Sequence, residues 1–267
     1  MKENRMTVSV VTVCYNAAET IERTICSVIS QTFKSIDYII IDGGSTDGTN
    51  DVIHNYHSNL SYYVSETDRG IYDAMNKGID ASKGEYVIFL NAGDVFSHSK
   101  VIEELYDRIQ SEGSMSDLIY GDVIYQYTFG ERYVSSKDLG RIKYDMVFSH
   151  QSVFVRSEIL KKRHFDLRYR LAADYDFLLW AYLNKRSFRY IDIPVSVVDA
   201  SGGATYGHFV KSRKESYIIQ CSYGGNRILC YCWYLWKISY FKLTSTIKDI
   251  FPRDLLRLLI SKKHAGK

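Results

Sequence analysis

Proline is nearly missing from this chain, with 2 in 267 residues, which excludes proline-rich linkers. Cysteine is sparse and poorly placed for bridging or for zinc. The five, Cys14, Cys26, Cys221, Cys230 and Cys232, are odd in number and form no C-x-x-C pair, so they are expected as reduced, mostly buried thiols of a cytosolic protein. No charge of one sign dominates either. A net charge of +3 is too small to point to nucleic acid, and no such partner is expected. Long apolar runs are absent as well. The start "MKENRMTVSVV" is basic, but its apolar run breaks at Asn16 with no cleavage site before the helix that follows, so neither a signal peptide nor a spanning helix is expected. Neither G-x-x-x-x-G-K-[ST] nor G-x-G-x-x-G occurs, which argues against a P-loop NTPase and a nicotinamide dehydrogenase. No internal repeat is visible.

What is present is a chain with 46% hydrophobic residues, enough for one large α/β domain or a domain with an appendage. Strand and helix patterns alternate over the first hundred residues. Thr7 to Cys14 is a β-branched run, and Glu19 to Gln31 carries Ile21, Ile25, Val28 and Ile29 at helical spacing. A second strand ends at Asp42, with a helix over Gly48 to Tyr56. "LSYYVSE" is a third strand, Ile71 to Ala81 a third helix and "EYVIFLNAGD" a fourth strand. This series implies right-handed crossovers and helices on both faces of the sheet. After Gly113 the rhythm changes. "DLIYGDVIYQYTFGERYVSS" reads as antiparallel strands about Gly130, "HQSVFVRSEIL" as a strand leading into a short helix, and "DYDFLLWAYLNK" as an amphipathic helix. The expected division is a mixed-sheet domain over 1–206, its halves 1–112 and 113–206, then a basic, aromatic helical tail over 207–267.

The stretch "YIIIDGGSTDGT" reads either as an ordinary capped turn or as one wall of a ligand site. Four unalternated apolar residues suit a strand covered on both faces, and Asp42 is the first residue out of it. Gly43 and Gly44 permit close backbone approach, and Ser45, Thr46 and Asp47 can cap the next helix. Ligands bind at the carboxyl ends of strands in open α/β sheets. Collected along that edge are Asp42, Asp68, Asp73, Asn91 and Asp94, with Tyr15, Asn16, Ser45 and Tyr72. So many carboxylates on one rim repel one another unless a cation is shared. Oxygen ligands at Asp94, with Asn91 beside it, suit Mg²⁺ or Mn²⁺ carrying a diphosphate.

"SVVTVCYNAAETIERTICSVISQTF", "YIIIDGGSTDGT" and "ETDRGIYDAMNKGIDASKGEYVIFLNAGD", in this order and spacing, resemble glycosyltransferase family 2 with its GT-A nucleotide-sugar fold, from about Val8 to about Val198. The resemblance implies that Thr12, Tyr15 and Asn16 border the nucleotide and that Asp42, with Ser45 in its turn, meets the base edge. Asp68 and Gly70-Ile71-Tyr72 would lie along the ribose and diphosphate. The family's D-x-D element is Asn91-Ala92-Gly93-Asp94 here, with Asp94 as the metal ligand and Asn91, in place of the first acid, at ribose or metal. Its E-D pair, followed by D-L-x-L-R, becomes "LAADYDFLLWAYL". Asp174 then takes the place of the catalytic base, with a plain helix N-cap as its other reading, Ala173 replaces the first acid and Asp176 opens the second element.

An inverting glycosyltransferase is the function so implied. It would take a nucleotide-sugar donor, a uridine diphosphate sugar foremost, with Mg²⁺ or Mn²⁺, and a glycan or lipid-linked acceptor of bacterial surface polysaccharide. The alternative is a non-catalytic nucleotide-sugar binder or assembly partner, suggested by Ala173 and Asn91. His150 and Gln151 resemble a H-Q element of the surface-polysaccharide branch. They stand either against acceptor or leaving diphosphate, or as structural hydrogen-bonders. "SGGATYGH" reads as a surface loop or a lid, with His208 a phosphate or metal contact in the second case. From Arg227 on, Trp, Tyr and Phe interleave with Lys and Arg, including Arg257, Lys262 and Lys263. That suits either peripheral contact with the inner face of a cytoplasmic membrane or packing on the domain or a second subunit.

Overall fold

The computed structural model describes residues 6–112, 115–128, 130–136, 138–200 and 208–250. Its first half runs β1 (Val8–Cys14), α1 (Ile21–Ile29), β2 (Ile36–Asp42), α2 (Thr49–His54), β3 (Tyr62–Ser65), α3 (Ile71–Ala81) and β4 (Tyr86–Phe89). Two elements not expected from the sequence follow, a short strand β5 (Val95–Phe96) and helix α4 (Val101–Glu112). The second half comprises β6 (Leu118–Tyr127), β7 (Gly130–Val134), β8 (Val153–Arg156), α5 (Ser157–Lys162), α6 (Ala173–Leu183) and β9 (Phe188–Asp199). Helices α7 (Phe209–Ser222) and α8 (Arg227–Ile250) close it.

All nine strands join one sheet in the order β3-β2-β1-β4-β8-β6-β9-β5, with β7 paired to β6. Strands β3, β2, β1 and β4 are parallel. The sheet turns mixed at β8, which runs antiparallel to both β4 and β6. Period-two geometry divides β1 between two cores. Val8 and Val10 pack with Ile21, Ile25, Val101 and Ile102 on one face, and Val11 and Val13 with Met75, Ile79, Ile159 and Phe177 on the other. That arrangement is the α/β mixed sheet with helices on both faces, and it points the ends of β1, β2, β3 and β4 along one rim.

Helix α6 departs from expectation. Ala173, Tyr175, Asp176, Phe177, Leu178, Leu179 and Ala181 are all buried, so the helix is enclosed around its girth rather than amphipathic. Part of the reason is α7, whose Ile219 packs with Ala172, Tyr175 and Leu179. The tail thus begins as part of the domain's packing. The cysteines also differ from expectation. All five are free thiols, but only Cys14 and Cys230 are buried, whereas Cys26 and Cys232 are exposed.

Candidate functional site

The first two motif loops are knitted together before any ligand arrives. Asn16, held at φ 48°, donates its backbone N–H to Ser45 Oγ at 2.7 Å and accepts at Oδ1 from Thr46 N at 3.0 Å. Ala18 N donates to Asp47 Oδ2 at 3.1 Å, and Ala17 N to Thr49 Oγ1 at 2.8 Å. Asp42 is fully enclosed and is the hub of its turn. Oδ2 accepts from Gly44 N at 3.1 Å, Ser45 N at 2.9 Å and Ser65 Oγ at 2.6 Å, while Ser45 Oγ donates to Oδ1. Burial works to raise its pKa, but the bonds from Ser45 and Ser65 prevail and hold it below the usual carboxylate value. A bond from Asp42 to a base edge therefore requires one of these serine hydroxyls to yield.

Thr12 corrects the sequence reading. Its side chain is fully buried and its hydroxyl lies 3.2 Å from Tyr38 Oη, so it supports the sheet from within rather than standing on the rim. Tyr15, by contrast, is 66% exposed on the rim. Beside it, Gly43 leaves room for its neighbours. A Cβ there would stand 2.6 Å from Asp68 Oδ2 and 3.4 Å from the Tyr15 ring, so a larger residue would require the Asp68 carboxylate to shift. Asp68 also accepts from Gly70 N at 2.8 Å, where φ of 118° starts α3. Asp73 pairs with Arg69 at 2.9 Å. Each of these rim acids is thus matched with donors of the protein itself.

The Asn91–Asp94 loop is pinned by α1. Thr24 Oγ1 donates to the Asp94 carbonyl at 2.7 Å and accepts from Gly93 N at 2.9 Å. Asp94 itself is buried, and its side chain accepts from Gln151 Nε2 at 2.9 Å and from Asp199 N at 3.0 Å. Burial lifts this carboxyl to about 6. Among the described residues, no cluster of three or more His, Cys, Asp or Glu could hold a metal alone. One buried carboxylate still fits Mg²⁺ or Mn²⁺ of the kind that takes its remaining ligands from phosphates and water. Asn91 Oδ1 is buried with no hydrogen-bond partner, an acceptor facing the same loop without a donor.

Asp174 stands in the first turn of α6, and its neighbours come from far along the chain. Oδ1 accepts from Tyr72 Oη at 2.8 Å and from Tyr175 N at 2.8 Å. Oδ2 lies 2.9 Å from His150 Nδ1, and Asn91 Nδ2 lies 3.3 Å from Nε2 of the same ring. Burial pushes the Asp174 pKa up, yet the His150 and Tyr72 contacts outweigh it and hold it low. Tyr72, expected along the diphosphate, is buried and spends its hydroxyl on Asp174 instead. Asp176 points elsewhere, to Arg163 at 2.6 Å and Tyr223 Oη at 3.1 Å. Sequence reading gave His150 and Gln151 no definite partner. Their adjacency to "SVFVR" was visible, but contacts across 24 and 57 positions leave no local signature. His208 is exposed and precedes α7, while the proposed lid over 201–207 lies outside the described residues.

A sequence model of the family described as Glycosyl transferase family 2 matches residues 9–181. A PGL/p-HBAD biosynthesis glycosyltransferase of Mycobacterium bovis (strain BCG / Pasteur 1173P2) is 32% identical over 200 residues, which cover 73% of this chain and 77% of that protein. Among solved structures, S. aureus TarS 1-349 in complex with UDP-GlcNAc matches with a TM-score of 0.66 at 20% identity, over 80% of this chain and 66% of that one. The match spans 39% of the longer TarS chain. Mannosyltransferase PcManGT from Pyrobaculum calidifontis, in complex with GDP-Man and Mn²⁺, matches with a TM-score of 0.63 at 15% identity, over 99% of this chain and 81% of that one.

Proposed function

Because the chain belongs to glycosyl transferase family 2 and is a glycosyltransferase of the GT-A fold, we propose the following reaction for it. The enzyme moves one sugar, with inversion, from a nucleoside diphosphate sugar to a hydroxyl of a glycan or lipid-linked acceptor in surface polysaccharide synthesis. A uridine diphosphate sugar is the foremost donor. The observation that carries this reading is the linkage of Asp174 to the donor loop: one imidazole, His150, separates it from Asn91. Residues 1–112 then form the donor half, 113–206 the acceptor half and 207–267 the tail.

Asp174 is the base. Oδ1 already accepts two hydrogen bonds and Oδ2 one, so Oδ2 keeps the lone pair that can meet an acceptor hydroxyl. As the acceptor oxygen bonds to the anomeric carbon, its proton passes to Asp174 Oδ2. The bond from that carbon to the diphosphate breaks with its electron pair leaving on phosphate. With no enzyme nucleophile in the path, a single displacement inverts the centre. Asp94 would hold Mg²⁺ or Mn²⁺, which when bound stabilises negative charge on the departing diphosphate. Tyr15 and Asp68 flank the cleft that Gly43 leaves open and would border the nucleotide.

Thermal shift of the full chain with UDP, GDP, ADP and CDP, each with and without Mn²⁺, tests the donor site. One diphosphate is expected to raise the melting temperature in a metal-dependent way, and Asp94→Ala to abolish the metal dependence. Four flat responses would refute the donor site.

The tail would set this site against a lipid surface. Exposed Ile228, Leu229, Leu235, Trp236, Tyr240 and Leu243 line α8, and the segment from Arg227 to Lys248 contains no acid, as an interfacial helix on anionic lipid requires. No described helix is long and apolar enough to cross a membrane. Sedimentation with phosphatidylglycerol vesicles at low salt is expected. A chain that stays in the supernatant as a dimer would assign the face to a second copy.

A further inference from the structure

His150 has both ring nitrogens committed, one to each side of the transfer site. Nδ1 lies 2.9 Å from Asp174 Oδ2, and Nε2 lies 3.3 Å from Asn91 Nδ2. An ionised carboxylate only accepts, so Nδ1 carries the proton. In the neutral ring Nε2 is then an acceptor, and Asn91 must turn its NH₂ toward it. The amide's other end follows. Asn91 Oδ1 faces away from the imidazole, buried and without a partner, beside the loop that carries Asp94. An acceptor placed in this way awaits a hydrogen-bond donor, and the hydroxyls of a nucleotide sugar are donors.

On the reading of Asp174 as base, we infer that His150 is a positioning residue that ties the acceptor base to the donor pocket: Asp174 sets its tautomer, the tautomer sets the Asn91 amide, and Asn91 Oδ1 takes a hydroxyl of the bound nucleotide sugar. The same short turn seats the second acid, since Gln151, the next residue, donates to Asp94 at 2.9 Å. This linkage gives a physical reason for an amide at position 91. Aspartate there would set a second acceptor against Nε2, and the ring would have to carry two protons between two carboxylates. Asparagine satisfies Nε2 with the ring neutral.

The tautomer is readable without any substrate. In the full chain labelled with ¹⁵N-histidine at pH 7.5, two-bond ¹H–¹⁵N spectra are expected to show His150 as the neutral Nδ1–H form, its signals moving in both Asp174→Asn and Asn91→Ala. A neutral Nε2–H ring, or a doubly protonated one, overturns the inference. Two replacements then separate the arms. In His150→Asn the amide nitrogen takes the place of Nδ1 and the reach to Asn91 is lost. In His150→Gln the amide takes the place of Nε2 and the reach to Asp174 is lost. With Mn²⁺ and UDP-N-acetylglucosamine, the Asn variant is expected to bind about tenfold more weakly. The Gln variant should bind within twofold of wild type and hydrolyse the donor at least tenfold more slowly. Equal losses in both variants, or an unaffected His150→Ala, would overturn the coupling. Failure of the underlying reading looks different. Asp174→Asn with full donor hydrolysis refutes that reading while the tautomer still decides the hydrogen-bond chain.

Discussion

On the proposed division into a donor rim and an acceptor rim, the two use their acids differently. On the donor side Asp42, Asp47 and Asp68 spend their oxygens on backbone N–H groups and hydroxyls, most of them two or three positions on, such as Gly44, Ser45, Thr49 and Gly70, with Ser65 and Ala18 reached from neighbouring loops. On the acceptor side Asp174, Asp145 and Asp176 meet partners brought from distant segments: Tyr72 and His150, Arg213 and Lys237, Arg163 and Tyr223. The first arrangement holds a loop in shape before any ligand arrives. The second makes Asp174, the proposed base, depend on the tertiary structure around it.

Breaking the acceptor side at its centre has the largest expected effect. Asp174→Asn keeps the size of the side chain and removes the proton acceptor, so turnover is expected to fall by roughly 10² to 10⁴ while UDP affinity holds. Calorimetry beside a transfer or hydrolysis assay reads both. The paired variant Asp176→Asn is expected to act on stability instead, by about 1.5 to 3 kcal/mol, because it weakens a buried charge-assisted pair with Arg163. If Asp176→Asn stops turnover and Asp174→Asn does not, the base is Asp176 and the comparison inverts.

On the donor side, Asp42→Ala is expected to cost about 1 to 3 kcal/mol of stability, since Ser45 and Ser65 lose their shared acceptor. Urea unfolding measures it. An unchanged midpoint would mean that the serine hydroxyls find water equally well and that the turn is not organised by its acid.

The smallest effect concerns acid. Asp42 and Asp174 both have folded pKa values held below the ordinary one, so each stabilises the fold above about pH 4, the unfolded value, and loses that contribution as pH falls through its folded value. Melting curves between pH 5 and 3 are expected to show a steeper decline for wild type than for Asp42→Asn. Parallel curves would remove Asp42 from the linkage.

The same contrast decides what could be read from the letters alone. The β1-to-β4 series, the hairpin about Gly130 and the ends of α3 were legible because apolar period and turn residues are local signals. So was the rim position of Asp42 and Asp94. Thr12 was misplaced because β1 buries alternate residues on both faces and leaves no polar one free. The bonds of Tyr72 and His150 to Asp174 were not legible, because that partner lies 102 and 24 positions away. Helix α6 was misread as one-sided because the helix that covers its other face, α7, comes from the tail.

Helix α8 is fastened along its length, with Tyr231 and Tyr234 against Tyr217 and Arg141 over Trp233. Lys237 joins Arg213 on Asp145, and Phe241 stacks on Phe209 at 4.2 Å. Beyond Phe241 the helix runs on to Ile250, about 13 Å at 1.5 Å per residue. Its anchor Asp145 stands five residues before His150, so the tail and the turn that meets Asp94 and Asp174 are held by one short stretch of chain.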